Sequence, residues 1–162
     1  MSTPAILIRT ATHADSRLIL DLIMELAVYE KAPEQVVATL ADIEHSLFGA
    51  EAKAHALVCE LDGRPVGYAV YFYNYSTWLG RKGIYLEDVY VTPEARGRGC
   101  GKALLRHIAE IAVRENCGRF EWSVLDWNTP AIAFYESLGA RPQSEWIIYR
   151  LTGANLRKLA ED

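Results

Sequence analysis

The sequence predicts an α/β fold of the α+β kind, in which a mixed central sheet is flanked by helices on both faces. The apolar patterns follow one another in the order β-α-α-β-β-β-α-β-α-β, which lacks the strict alternation of a doubly wound fold. Asp62-Gly63 between two apolar segments is a strong hairpin signal, so the early strands are expected to be antiparallel. A helical pattern separates the fourth strand from the fifth, and such a crossover makes those two strands parallel.

The first part of the chain predicts one strand and two helices. Residues 6–9 are expected to form the strand. A helix capped by Asp15 or Ser16 runs to about residue 30, because apolar residues recur there at helical spacing. A second helix runs from Thr39 to about residue 48, with Asp42 at the capping-box position.

Three strands follow. Residues 54–61 and 65–73 form the arms of the hairpin, and residues 74–83 are expected to be a polar, aromatic loop. Residues 85–91 give the fourth strand, which Thr92-Pro93 ends, because proline has no N–H to donate to a neighbouring strand.

The last part of the chain predicts a crossover helix from residue 99 to about 116, a strand at 119–125 and a short helix at 129–138. Residues 140–151 are expected to form one more strand, and the tail from residue 155 is expected to be a polar helix or frayed. The 162 residues have the size of one domain, and we see no linker or repeat, so a single domain over 1–162 is expected.

The turn after the fourth strand has the composition of an anion-binding loop. It reads RGRGCG over residues 96–101, and Lys102 begins an apolar pattern at helical spacing. At a strand-to-helix junction, free backbone N–H groups and the positive end of the helix dipole face a ligand, and glycine leaves the space open.

Two well-known phosphate motifs do not fit this turn. A P-loop would need glycine at position 96 and Ser or Thr at 103, where Arg and Ala stand. A dinucleotide fingerprint would need glycine at 102, where Lys stands. The remaining readings are an R-x-x-G-x-G diphosphate loop, formed by Arg96, Gly99 and Gly101, and a glycine-rich turn with surface arginines.

Composition restricts the partners. The net charge of −4 and a pI near 5.6 argue against nucleic acid and suit cationic small molecules. No apolar run approaches a membrane-spanning length, and the start of the chain lacks the pattern of a secretory leader, so a cytoplasmic location is expected. Three scattered cysteines and four scattered histidines lack the spacing of metal ligands, so no metal is expected, and Cys100 is interpreted as incidental and not as a nucleophile.

Several segments together resemble the GNAT superfamily of N-acetyltransferases, and within it the diamine (spermidine/spermine-type) and thialysine N-acetyltransferases. The loop before Trp78 lacks the aspartate of the polyamine enzymes, and this disfavours a long polyamine substrate. The segments that carry the resemblance span nearly the whole chain: 25–30 (ELAVYE), 76–78 (STW), 85–88 (YLED), 96–101 (RGRGCG), 125–128 (LDWN), 134–135 (FY) and 138–140 (LGA).

The resemblance implies a GNAT fold and acetyl-CoA as the cosubstrate. It implies that the fourth strand pairs with the pantetheine arm and offers a backbone N–H to the thioester oxygen. The diphosphate would lie on the glycine-rich loop, and the start of the helix at 129 would give further contacts, although Asn128 can equally be an ordinary helix cap. The cofactor-binding residues expected in this way are Val89, Tyr90, Val91, Arg96, Gly97, Arg98, Gly99, Cys100, Gly101, Lys102, Asn128, Thr129, Pro130 and Ala131.

Glu87 is the candidate general base. An alkyl amine with a pKa of ~10.4 costs roughly 4–5 kcal/mol to neutralise at neutral pH, so a carboxylate beside the nitrogen is useful. Strand alternation places Glu87 and Asp88 on opposite faces, and the resemblance gives the base position to Glu87. The alternative is that both are solvated carboxylates on a strand.

Tyr135 is the candidate acid that protonates the leaving thiolate. By pattern alone it belongs to an apolar stripe at helical spacing, which favours plain packing; the resemblance favours the catalytic role. Substrate recognition by acidic and aromatic groups is expected from Tyr29, Glu30, Glu87, Asp88, Glu121, Trp122, Ser123, Glu145 and Trp146. The resemblance also implies a homodimer with the active site at the subunit interface.

The sequence therefore predicts an N-acetyltransferase that moves the acetyl group of acetyl-CoA to the primary amine of a small diamine or lysine-like amino acid, by direct attack in a ternary complex. Two alternatives remain at this point: an acetyltransferase of protein lysines or N-termini, and a noncatalytic acyl-CoA-binding sensor.

Overall fold

The computed structural model describes residues 5–161, and the chain divides after Ser123 into two compact units. The single domain expected from the length stays a prediction. Within the described residues the strands and helices are β1 Ile6–Thr10, α1 Ser16–Tyr29, α2 Leu40–Phe48, β2 Ala54–Leu61, β3 Arg64–Ser76, β4 Arg81–Val91, α3 Cys100–Arg114, β5 Phe120–Trp122, α4 Thr129–Ser137 and α5 Gly153–Glu161.

The strands form one mixed sheet in the order β1-β2-β3-β4-β5. The first four are antiparallel neighbours, while β5 is parallel to β4, with α3 as the crossover between them. This confirms the predicted fold. Asp62 and Gly63, with φ of 52° and 78°, make the tight turn between β2 and β3, as the sequence predicted.

Helices cover both faces of this sheet in the first unit. α1 and α2 contribute Ile19 and Ile43 to a buried cluster that includes Val58 of β2. α3 packs on the opposite face, because the thiol of its first residue, Cys100, contacts that of Cys59, whose side chain alternates with Val58 along the strand. Among residues 5–161, the helices are all too short or too polar to cross a membrane.

A partly buried ion pair fixes the junction between β1 and α1. The Arg9 guanidinium donates to both carboxylate oxygens of Asp15, at 2.8 and 2.9 Å, and its Nε donates to Glu60 at 2.7 Å. The carboxylate of Asp15 also accepts from the backbone N–H of Thr12 at 2.7 Å. These hydrogen bonds, the one from Arg9 above all, lower the pKa of Asp15 to about 2.

Two predicted caps are confirmed. The Thr39 hydroxyl accepts from the N–H of Asp42 at 3.2 Å, and the Asp42 carboxylate accepts from the N–H of Thr39 at 2.7 Å, which completes a capping box at α2. The side chain of Asn128 accepts from the N–H of Ala131 at 3.4 Å and caps α4.

The polar loop predicted at 74–83 is wrong at both ends. β3 continues to Ser76 and β4 begins at Arg81, so the two strands form one long hairpin. Contacts across the strands stabilise this extension; the ammonium of Lys82, for example, lies 4.1 Å from the ring centre of Tyr73.

Two further predictions need correction, and one is confirmed. Residues 140–151 form no strand; Pro142 has no N–H to donate, and the N–H of Trp146 is used in a turn to Gln143. β5 spans three residues and not the seven expected at 119–125. The polar helix expected in the tail is confirmed, and it begins at Gly153, two residues earlier than expected.

Candidate active site

The acidic pair on β4 lies at an irregularity of the strand. Val70 of β3 is opposite Asp88 and Tyr71 is opposite Leu86, so Glu87 is the extra residue of a β-bulge. Glu87 is exposed, whereas Leu86 is buried. Bulges interrupt the alternation of side chains and often re-aim one of them beside an active site. The orientation of Glu87 is therefore set by the bulge and not by the simple alternation that the sequence predicted.

The bulge also marks the point where β4 and β5 separate. β5 pairs with Ile84, Tyr85 and Leu86 of β4, but β4 continues to Val91. Within the part of the chain that the structure describes, residues 87–91 have no strand partner on this side. Backbone groups along such an edge can pair with an extended ligand, as another strand would.

The glycine-rich turn leads from this edge into the N-terminus of α3. Gly97 and Gly99 have φ of 73° and 91°, a left-handed conformation that favours glycine, and Gly99 is the N-cap of α3. Gly101 has no such φ, and a Cβ placed on it would meet no atom within 4 Å. Neither the backbone nor the packing therefore requires glycine at 101, but its absent side chain leaves the helix N-terminus open.

This geometry fits a diphosphate. The first N–H groups of an α-helix have no partner inside the helix, and the helix dipole places positive potential there. An anion of the size of a diphosphate can accept hydrogen bonds from them, and Arg98 and Lys102 add positive charge on either side. Arg98 lies 3.4 Å from Asp62 in an exposed ion pair that a ligand can replace at little cost.

Cys100 begins α3 but its side chain points into the core. It is 1% exposed and lies beside Cys59, which is fully buried. Burial, reinforced by Cys100, raises the pKa of the Cys59 thiol to about 12. Cys100 can thus contribute its backbone to a ligand, while its thiol packs the loop against the sheet.

Arg96 takes a different course from the rest of the turn. Its Nε donates to the carbonyl of Val91 at 3.0 Å. Its guanidinium carbon lies 5.0 Å from the ring centre of Tyr29, at the end of α1, and 5.4 Å from that of Tyr90 on β4. The side chain therefore turns back toward α1 and β4.

A group of carboxyls lies where the end of α1 meets β4. The hydroxyl of Tyr68 donates to Asp88 at 2.9 Å, and burial raises the pKa of Asp88 despite this hydrogen bond. Burial and the nearby charge of Asp88 raise the pKa of Glu30. Two half-buried carboxyls whose charges repel each other favour either a bound proton or a nearby cation. An ammonium group is one such cation.

Sequence reasoning missed two members of this region. Tyr68, fully buried on β3, had no expected role, and its own pKa is raised strongly by burial and by Asp88. Glu25 accepts a hydrogen bond from the hydroxyl of Tyr90 at 3.1 Å. Tyr68 lies on the second arm of the predicted hairpin, and this position was the signal that could have found it. In the structure Tyr68 is opposite Tyr90 and two residues from Val70, which is opposite Asp88.

The candidate residues on and just after β5 have partners of their own. Glu121 lies 3.3 Å from Arg119 and accepts a hydrogen bond from the amide of Asn74 at 3.4 Å. The hydroxyls of Ser123 and Tyr85 are 2.6 Å apart. Trp122 is opposite Leu86, next to the bulge.

The remaining candidates belong to the second unit. Asn128, Thr129, Pro130 and Ala131 form the start of α4, and Tyr135 lies on the same helix with its ring 5.6 Å from that of Phe134. Glu145 and Trp146 lie in an irregular segment, where Trp146 is exposed. Among residues 5–161 there is no group of three or more His, Cys, Asp or Glu side chains placed to hold a metal.

A mixed sheet whose fourth and fifth strands separate beside a glycine-rich helix N-terminus is the framework of the candidate site. The sequence profile of the acetyltransferase (GNAT) family matches residues 19–140, so the chain belongs to this family and is an acetyltransferase. Acetyl-CoA is the cosubstrate of the family.

Relatives and solved structures agree with this assignment. The chain is 42% identical to the thialysine N-epsilon-acetyltransferase of Sus scrofa, over 96% of this chain and 98% of the relative. It is 30% identical to the L-ornithine N5-acetyltransferase of Arabidopsis thaliana, over 94% and 86% of the two chains. An integron cassette protein from the mobile metagenome of V. cholerae has a similar structure, with a TM-score of 0.82, 27% identity and coverage of 97% and 98%.

Proposed function

We propose that the protein transfers the acetyl group of acetyl-CoA to the primary amine of a small diamine or a lysine-like amino acid, by direct attack within a ternary complex. One observation carries the choice of substrate: the half-buried carboxyls of Glu30 and Asp88 are near enough for the charge of Asp88 to act on Glu30, and Asp88 adjoins Glu87 at the bulge. A second ammonium on the substrate would be attracted to them while the first reacts. The similarity to acetyltransferases of thialysine and ornithine supports the same class of amine.

The first unit would hold acetyl-CoA. The N-terminus of α3 and the backbone of the turn from Arg96 to Lys102 would bind the diphosphate, and the open edge of β4 at Val89 and Val91 would bind the pantetheine arm through backbone hydrogen bonds. A backbone N–H of this edge would donate to the thioester oxygen, which becomes negative as the amine attacks.

Glu87 would prepare the amine. Substrate arrives as an ammonium ion, and the exposed carboxylate would accept its proton, directly or through one water. The neutral nitrogen then attacks the thioester carbonyl, forming the C–N bond as the C–S bond breaks. The thiolate of CoA would leave and take a proton from the phenol of Tyr135, which the solvent restores.

We propose the same roles for the remaining site residues that the sequence predicted. Asn128, Thr129, Pro130 and Ala131 would contact CoA, and Glu121, Trp122, Ser123, Glu145 and Trp146 would contribute to the amine site. A homodimer and a cytoplasmic location are likewise proposed, on the resemblance and the composition.

The test is an acetyl-transfer assay with purified protein and acetyl-CoA over thialysine, lysine, ornithine, putrescine, spermidine and a lysine peptide. We expect the highest kcat/KM for the small amines that carry two amino groups. Preference for the peptide would favour an enzyme of protein lysines. Binding of CoA without turnover of any amine would favour a sensor and overturn the proposal.

A further inference from the structure

The Arg96 side chain connects two parts of the site that come from different elements. Its backbone belongs to the glycine-rich turn, but its guanidinium lies 5.0 Å from the ring of Tyr29 and 5.4 Å from that of Tyr90. Its Nε donates to the Val91 carbonyl at 3.0 Å. We call the arrangement of Arg96, Tyr29 and Tyr90 the tyrosine clamp.

The clamp extends to the carboxyls of the proposed amine site. The hydroxyl of Tyr90 donates to Glu25 of α1 at 3.1 Å. Tyr29 is the last residue of α1, and Glu30, whose pKa is raised by burial and by Asp88, is the next. The position of the α1 end relative to β4 therefore depends on a side chain that the cofactor turn supplies.

We propose that Arg96 is a positioning residue for the amine substrate and not a ligand of the diphosphate, a proposal that rests on the proposed function. A guanidinium between two aromatic rings is attracted to both faces, and the hydrogen bond to Val91 fixes its direction. Arg96 holds the ring of Tyr29, and with it the adjoining Glu30, in place for the amine.

Arg98 is the matched control, because it lies in the same turn but has neither of these aromatic contacts. Its side chain is exposed and pairs only loosely with Asp62, at 3.4 Å. Loss of the charge of Arg98 should therefore affect CoA binding, and loss of the charge of Arg96 should affect use of the amine.

The experiment compares Arg96→Gln and Arg98→Gln with two acyl donors, acetyl-CoA and acetylpantetheine, which lacks the diphosphate. For Arg96→Gln we expect kcat/KM for thialysine to fall about 5- to 30-fold with either donor, the combined effect of two exposed cation–π contacts. CoA affinity, measured by calorimetry without amine, should change little. For Arg98→Gln, CoA affinity should fall, and the effect on turnover should disappear with acetylpantetheine.

Two further variants separate positioning from charge. Arg96→Lys keeps the charge but loses the planar group, so it should not restore the KM for thialysine. Arg96→Gln combined with Tyr29→Leu should lose less than the sum of the two single losses, because both remove the same contact. Arg96→Lys also serves as the test if Arg96→Gln does not fold.

The outcomes separate this inference from the proposed function. A wild type that acetylates none of the amines overturns both. An active wild type in which Arg96→Gln lowers CoA affinity, with an effect on turnover that disappears with acetylpantetheine, makes Arg96 a diphosphate ligand and overturns the clamp alone. A wild-type KM for thialysine in Arg96→Lys would also overturn the clamp.

Discussion

Glu87 and Asp88 are neighbours in the chain but lie in unlike surroundings. Glu87 is exposed in the bulge, whereas Asp88 is half-buried and accepts the hydroxyl of Tyr68. Burial raises the pKa of Asp88, so it releases its proton less readily than an ordinary aspartate. An exposed carboxylate is suited to exchange protons with the solvent, and a half-buried one to hold a cation in place.

Glu87→Gln tests the base. We expect kcat/KM for the amine to fall about 100-fold or more, which is typical for the loss of a general base, while CoA affinity is retained. Steady-state rates and calorimetry with CoA measure the two effects. Glu94→Gln, on the exposed turn after β4, is the control and should retain the wild-type rate. Wild-type turnover in Glu87→Gln would exclude this residue as the base.

Asp88→Asn tests the half-buried carboxyl through pH. The folded state binds the Asp88 proton more tightly than the unfolded chain does, so this residue makes the wild type less stable as pH rises through the raised pKa. Asparagine does not titrate. Relative to wild type, the variant should therefore be more stable, with a larger free energy of unfolding, at pH 7 than at pH 4.

Urea unfolding at the two pH values measures this difference. The same variant should show a higher KM for the amine, because one of the two carboxyls has lost its charge. A stability difference that is independent of pH would show that Asp88 keeps an ordinary pKa.

At the scale of elements, the two glycines at the start of α3 serve different purposes. Gly99 is needed by the backbone, since its φ of 91° is strained for any other residue. Gly101 is not needed by the protein itself, because a Cβ there meets no atom within 4 Å. The open space before the helix is thus available to a ligand.

Gly101→Ala should separate stability from binding. Alanine in the first turn of a helix is expected to leave the free energy of unfolding unchanged or to raise it by up to about 1 kcal/mol. CoA affinity should fall about tenfold or more, or about 1.4 kcal/mol, because the methyl group occupies the diphosphate space. Denaturant unfolding and calorimetry measure the two. Gly99→Ala is the contrasting variant and should lose about 1–2 kcal/mol of stability.

Asp15→Asn tests the junction of β1 and α1. The hydrogen bonds from Arg9 lower the pKa of Asp15 to about 2. Its carboxylate therefore stabilises the folded state at pH values above the ordinary aspartate pKa, and this stabilisation is lost as pH falls toward 2. We expect the variant to lose about 2 kcal/mol of unfolding free energy at pH 7. The loss should shrink as pH falls from about 4 to 2. A constant loss would instead indicate a packing defect.

The sequence predicted elements best where local chemistry decides them. The Asp62-Gly63 turn, the capping box at Thr39 and the Asn128 cap depend on nearby residues and are confirmed. The ends of β3 and β4 depend on contacts across the hairpin, such as that of Lys82 with the ring of Tyr73, which no local pattern contains. The strand expected at 140–151 failed because an apolar sequence does not by itself supply a neighbour to pair with.

The site shows the same division. The glycine-rich turn was predicted from its composition, since φ values and open space belong to glycine itself. The bulge at Glu87 was not predicted, because it is a mismatch in register between two strands and leaves no mark on either one. The inward turn of Arg96 depends on Tyr29, 67 positions earlier in the chain.

At the scale of the whole molecule, the proposed assembly is open to direct measurement. One chain has a mass of 18.2 kDa, and the proposed homodimer would have twice that mass. Sedimentation velocity at micromolar concentration should give the dimer, and its dissociation on dilution should lower activity if the active site lies at the interface. A mass of 18.2 kDa at every concentration would exclude the homodimer.

The burial of Cys59 and Cys100 has a practical consequence. Acetyl transfer liberates one free thiol per turnover, and chromogenic disulfide reagents report it directly. Two of the three cysteines are shielded from such reagents, while Cys117 is partly accessible. The enzyme should therefore tolerate continuous colorimetric measurement, with a background of about one reactive sulfur per chain that Cys117→Ser would remove.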